Sequence, residues 1–293
     1  MLGQQLVNAL SLGCVYALFA LGFTLVFGVL GVINLSHGAV FVAGAYTALE
    51  VVTQLQCPLW VGVLAAAVTG GAVGLMIDVA VLRRLRRRNA PHLTPMIATI
   101  GVAILLNSSM QGIFGAENRR FPYDSLSGAA LSFGDVAITP LELAIMLLSF
   151  ALMTLLVVII KRTQTGRALR AIAESPKAAS LLGIDVERMF QLTSLAAGAL
   201  GGCAGAMIGL YSNAVFPLMG QPMLHKGIAV IILGGIGDIR GAMLGALFLS
   251  SAEVLSVAYI GSNMRDAVAF GLLFVVLLIR PQGLFGAALE RKA

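Results

Sequence analysis

Three acidic side chains, Glu50, Asp78 and Glu253, stand inside or near the ends of apolar runs. A carboxylate in a bilayer is costly and is a functional candidate by default. Asp78 precedes Arg83 by little more than a helical turn, so a local ion pair at the inner interface is expected. Glu50 belongs near the outer face. Glu253 is expected to pair across helices, with Arg265. A proton relay would need several such groups in register, and they are absent from the sequence. His37 has no second His, Cys or carboxylate at metal-ligand spacing. Cys14, Cys57 and Cys203 are scattered without a CxxC pair, which argues against a disulfide framework or metal site. His225 and His92, like His37, lack a Ser or Asp partner in any recognisable catalytic arrangement.

Two polar constellations interrupt the apolar pattern. Asn34-Leu35-Ser36-His37-Gly38 separates two apolar runs. Non-helical backbone at membrane depth survives only where protein buries it or it lines a cavity. One reading is therefore a broken helix beside a translocation path, with Asn34, Ser36 and His37 facing that path. The other is a cytoplasmic-side turn with Ser36 as N-cap. Gln221-Pro222-Met223-Leu224-His225-Lys226-Gly227 precedes a glycine-rich stretch. Pro breaks and short apolar segments mark binding or gating regions in transporters, which makes Gln221 and His225 further path candidates. A simple outer turn is the competing reading.

The elements that must position these residues lie in a bilayer. Of 293 residues, 59% are hydrophobic and only 11% charged, and the mean hydropathy is +0.96. Soluble domains carry about 25% charged residues, so the chain reads as an all-α, polytopic integral membrane protein. Spans of about 20 apolar residues are expected at 5–29, 38–55, 59–82, 94–115, 140–160, 190–212, 241–258 and 264–280. The short run 221–237 reads as half a helix, a re-entrant segment or a ninth span, giving eight to nine spans with broken or re-entrant helices. The first span is expected to be retained rather than cleaved.

Fifteen of the nineteen Lys and Arg residues fall into segments that one side of the membrane can share. They include the run Arg83–Arg88, the segment 161–188, and Arg240, Arg280, Arg291 and Lys292. Under the positive-inside rule this side is cytoplasmic. The net charge of +6 is thereby explained without nucleic acid, and the arginine run is expected to meet anionic lipid. If 221–237 crosses inward, nine crossings place the N-terminus outside. Small-xxx-small patterns such as Gly198/Gly202, Gly201/Gly205/Gly209 and Gly241/Gly245 permit close helix packing, in a crowded bundle or a dimer seam.

Segment 161–188 is a basic, polar island between apolar spans. Ser175-Pro176 is a helix start, with Ser as cap and Pro at the first helical position. Gly183 ends that helix in a left-handed turn. Between them Ala178, Ala179, Leu181 and Leu182 are expected to form a small apolar face. Asp185 is the next N-cap, with Ile184 and Met189 spaced as a hydrophobic staple. A first helix over 166–174 precedes the Pro break. A bland loop whose charges only set topology competes with this reading, but stop and start signals this regular describe a docking element for a partner. The sequence contains no GxxxxGK[ST] phosphate loop, so any nucleotide energy must come from another chain.

Four stretches carry a resemblance to a known family. TGRALRAIAESPKAASLLGID (165–185) resembles the cytoplasmic coupling segment of ABC-importer permeases of the branched-chain amino acid type, the LivH class. GVLGVINLSHGAVFVAGAY (28–46) resembles the N-terminal signature of that family. KGIAVIILGGIGDIRGAMLGA (226–246) resembles its late glycine-rich signature, and RPQGLFG (280–286) its C-terminal end. The resemblance runs nearly end to end. It implies one permease domain over 1–293 in a bacterial inner membrane, transporting branched-chain or related amino acids by alternating access. It implies two ATP-binding subunits, an extracytoplasmic substrate-binding protein, and a second permease of LivM type or a second copy. This chain itself would bind no cofactor, ATP being used by the partners. Ser175, Pro176, Ala178, Ala179, Leu181, Leu182, Gly183 and Asp185 would enter a groove on the ATPase. The competing class, an ion-gradient-driven secondary transporter, predicts paired charges deep in the spans and no docking island.

Overall fold

The computed structural model describes residues 2–91, 93–122, 131–133 and 136–285. His92, Gly286, Arg291 and Lys292, invoked above, lie outside the described residues. Among the described residues twelve α-helices run α1 (Leu2–Leu30), α2 (His37–Thr53), α3 (Leu59–Ile77), α4 (Arg83–Arg87), α5 (Leu93–Phe114), α6 (Pro140–Arg162), α7 (Gln164–Glu174), α8 (Pro176–Leu181), α9 (Val186–Ser212), α10 (Gly220–Gly234), α11 (Ile239–Tyr259) and α12 (Arg265–Ile279). A π-helical turn, Asp78–Leu82, joins α3 to α4 in one rod. Among the described residues seven helical segments are long and apolar enough to cross a bilayer, and α2 is a shorter apolar helix. The chain is a multi-pass helical membrane protein.

Local chemistry fixes the boundaries. Thr139 and Glu142 close a capping box at α6, with Pro140 in its first turn. The Asp185 side chain caps α9 at Arg188 N–H, and Asn213 ends α9 in the left-handed region at φ 46°. Antiparallel β1 (Leu131–Phe133) and β2 (Val136–Ile138) form a small hairpin. The Gln4 side chain brackets Ala137 of that hairpin with two hydrogen bonds, 2.8 and 3.0 Å. The start of α1 and the 116–139 loop therefore share one membrane face. At the other face Val29 of α1 packs with Leu169 and Ile172 of α7. The Lys and Arg distribution makes that second face the inner one, so α1 runs inward.

The central architecture is an inverted pair. α1, α2 and α3 form one unit; α9, α10 and α11 form the other, running oppositely. α1 lies along α11 as α9 lies along α3, and α2 lies against α9 as α10 lies against α1. In each unit a long first helix is followed by a non-helical return, 31–36 or 213–219, and then a short helix. These short helices begin side by side: a Cβ on Gly38 or Gly220 would collide with the other's carbonyl. Inverted repeats with broken helices are a recurrent transporter design.

Glycine draws the bundle together at α3 and α9. A Cβ on Gly70, Gly198 or Gly202 would collide with backbone of the opposite helix. With no hydrophobic drive between helices in lipid, such close approach supplies the packing. The glycine patterns of α9 thus serve the interior of the bundle and leave no seam for a dimer there. α5, α6 and α12 are largely exposed and wrap this centre.

Candidate functional site

The first site is where the two short helices start. The His37 ring lies 4.7 Å from Phe19 and 5.8 Å from Phe23 by centroid, within the length of α1. At 1.5 Å per residue, those positions lie about 10–17 Å short of the inner end of α1. α2 therefore begins deep in the membrane, which decides between the two readings of Asn34–Gly38: the helix is broken, and the cytoplasmic-side turn is set aside. Ser36 occupies the position before α2 but makes no side-chain cap. Its hydroxyl donates instead to Asn34 Oδ1 at 2.5 Å, and its N–H donates to the same oxygen at 3.1 Å. This Asx turn satisfies backbone that water cannot reach. The Leu35 N–H donates to Thr99 Oγ1 of α5 at 3.2 Å.

A cavity of about 400 Å³ opens between residues 35–39, α5 and α10. Gln221, His225 and Asn107 supply its polar wall; Ile100, Ile104 and Leu224 are among its apolar lining. Gln221 and His225 belong to α10 itself, so the outer-turn reading of that stretch is replaced by a short helix starting at Gly220. A second cavity of about 340 Å³, between α10 and α12, shares His225 and Ile228 with the first. Of the five path candidates, Gln221 and His225 meet in the cavity. Asn34 and Ser36 are buried behind it and shape the turn. His37 points away, between Gly22 and Gly201, its Nε2 without a hydrogen-bond partner. Asn107 was not foreseen, although the polar triplet Asn107-Ser108-Ser109 inside an apolar span was a readable signal.

The second site is the folded island at the inner face. α7 starts at Gln164, earlier than the expected 166, because the Thr163 side chain caps it at Gly166 N–H, 3.1 Å. Ser175 caps α8 at Ala178 N–H, 3.3 Å, and Gly183 adopts φ 83°. The expected single apolar face of α8 divides in two. Ala179 turns inward, 1% exposed, and packs with Val29, Leu169, Ile172 and Phe190. Leu181 and Leu182 point away from the body, 88% and 80% exposed. One short helix turn thus holds α8 on the body while presenting two leucines outward. Pro176 and Ala178 are exposed and Asp185 caps α9 beside them.

The buried carboxylates flank these sites. Asp78, 0% exposed, is held by Arg86 through a two-pronged contact of 2.8 and 3.2 Å. The expected partner, Arg83, pairs instead with Glu187 of α9 at 3.2 Å. The π turn beginning at Asp78 changes the helical register, so a side chain eight positions on becomes the neighbour. Glu253, also 0% exposed, pairs with Arg265 as expected, and additionally with Lys226 and the Tyr16 hydroxyl, which donates at 2.9 Å. Lys226 also reaches Tyr16 at 3.0 Å and Asp266 at 3.7 Å. Glu50 pairs with Arg119 at 2.8 Å near the outer loop. Among the described residues no group of three His, Cys, Asp or Glu is arranged to hold a metal.

Inverted broken helices, a largely apolar cavity with one polar wall at their junction and a folded inner shoulder define a polytopic membrane permease. The chain belongs to the family described as branched-chain amino acid transport system / permease component, whose model matches residues 5–277. It is 34% identical, over 97% of its length and 95% of the relative's, to the high-affinity branched-chain amino acid transport system permease protein LivH of Salmonella typhimurium. It is 36% identical, with the same coverage, to the corresponding permease protein BraD of Pseudomonas aeruginosa. It is also 25% identical to LivM of Escherichia coli strain K12, covering 97% of this chain and 71% of that one. No solved structure matches it.

Proposed function

We propose that this chain is the permease subunit of an ATP-driven importer of branched-chain or related amino acids in a bacterial inner membrane. The observation that carries the ATP-driven reading is α8: a capped helix on the inner shoulder with Leu181 and Leu182 exposed. Two apolar side chains held in water on a folded support suit a groove on another protein. The sequence holds no nucleotide-binding loop, so two ATP-binding partner subunits would supply the energy, and ATP would be bound there. An extracytoplasmic binding protein would deliver the amino acid to the outer face. Alternating access would then be movement of this chain against the second permease, its two inverted units turning together because glycine contacts lock α3 to α9.

The substrate path in this reading runs along α10. Gln221 and His225 are exposed on a helix that starts inside the membrane, beside the non-helical stretch 31–36. Lipid cannot satisfy such groups. ATPases and binding protein work at the aqueous ends and cannot reach this face, so a second permease would cover it. The relation to both LivH and LivM supports a pair of related chains. The cavity would then be half of a shared path whose apolar walls suit an aliphatic side chain and whose polar wall suits the amino-acid backbone.

The test is uptake of radiolabelled leucine into proteoliposomes holding this chain with the ATPases, second permease and binding protein encoded beside it. Uptake is expected to require ATP. Uptake driven by a proton or sodium gradient without ATP would favour the secondary-transporter reading and overturn this one.

A further inference from the structure

The docking turn and the membrane helices are joined by a continuous chain of contacts that the docking reading does not itself require. Ala179, on the inward side of α8, sits in a small apolar cluster with Leu169, Ile172 and Phe190. Phe190 belongs to the first turns of α9. Its ring carries the Arg86 guanidinium 4.6 Å from its centroid. The same guanidinium grips Asp78 with both nitrogens and approaches Glu187 at 3.4 Å. Arg83 adds a second tie to Glu187. Four steps therefore lead from α8 to α3: apolar cluster, aromatic ring, guanidinium, buried carboxylate.

Two features make this more than a surface ion pair. Asp78 is wholly buried, and only 18% of the Arg86 side chain is exposed, so solvent screening is weak and the fork is directional. Asp78 also opens the π-helical turn of the α3–α4 rod. Such turns interrupt the regular hydrogen-bond ladder and recur at functional positions. Above the turn α3 is locked to α9 by glycine contact; below it α4 carries Arg86. The π turn is thus the point at which the inner end of the rod can shift while the glycine-locked part turns as a body.

We infer that Arg86 is the positioning residue that carries displacement of α8 into α3, acting between Phe190 and Asp78, so that ATPase movement turns the glycine-locked body to which α3 belongs. The inference rests on the reading of α8 as the ATPase contact. Without Arg86, α8 would remain docked but would move on the Gly183 joint without taking α3 with it.

The test uses the reconstituted complex of permeases, ATPases and binding protein, with leucine as the ligand. Two variants are measured: Phe190→Leu, which keeps an apolar side chain but removes the ring, and the double variant Asp78→Asn/Arg86→Gln, which leaves no unpaired buried charge. Readouts are ATPase co-purification and leucine imported per ATP hydrolysed. Co-purification is expected at the wild-type level, with import per ATP down about tenfold, a typical coupling between linked sites. Wild-type import per ATP in both variants would overturn the inference. So would loss of the ATPase from both, which would make the network an assembly contact. Absence of the ATPase from the wild-type complex would instead sink the docking reading.

Discussion

Asp78 and Glu253 are two fully buried carboxylates, each in the distal part of the third helix of its inverted unit, toward opposite faces of the membrane. Asp78 meets one arginine from its own rod, and that arginine leans on the start of α9. Glu253 gathers Lys226 from α10, Tyr16 from α1 and Arg265 at the start of α12. The inner carboxylate therefore ties a rod to the shoulder that faces the cytoplasm. The outer one ties a cavity-lining short helix to three neighbours. Similar burial would serve two purposes: the transmission inferred for the inner end, and anchorage of α10 at the other.

The comparison breaks most readily at the outer end. Glu253→Ala leaves Lys226 and Arg265 without their shared counter-charge, and removing one partner of a buried pair costs about 3–5 kcal/mol. Thermal unfolding in detergent is expected to show a large loss of stability, with Glu253→Gln milder because it keeps an acceptor for Tyr16 and Lys226. Asp78→Ala is expected to cost less, about 2 kcal/mol, because Arg86 retains Glu187 and some solvent; equal losses would remove the distinction between anchorage and transmission. Gly183→Ala places a Cβ in open space but at φ 83°, which costs about 1 kcal/mol and should appear as weaker ATPase retention more than as a lower unfolding temperature. Glu50→Gln breaks a half-exposed pair with Arg119 and should shift stability by under about 1 kcal/mol, the reference for an ion pair that is not buried.

What was legible in the sequence follows from the range of each interaction. The caps at Ser175 and Asp185, the stop at Gly183 and most of the span pattern depend on neighbours within a few residues and appear in the structure; the span expected at 38–55 is instead the shorter helix α2, His37–Thr53. The Glu253–Arg265 pair was also readable, since both charges stand in apolar surroundings with few other partners. Arg86 was not assigned to Asp78 because a π turn is invisible to α-helical spacing. Lys226 was not assigned to Glu253 because three helices must meet before they touch. The inverted pairing was hidden for the same reason, although Gly38 and Gly220 each end a polar or Pro-containing break. The division of α8 into an inward Ala179 and an outward Leu181–Leu182 required knowing which side the body occupies.

ATP-driven transport by this chain, as proposed, depends on the exposed turn of α8 receiving the ATPase. The direct measurement is co-purification of the ATPase subunits with this chain carrying Leu181→Glu and Leu182→Glu, alongside membrane insertion of the variant. Neither side chain is covered by the rest of this chain, so insertion and folding are expected to be unchanged while ATPase association is lost. A variant that inserts normally and still retains the ATPase would contradict the claim.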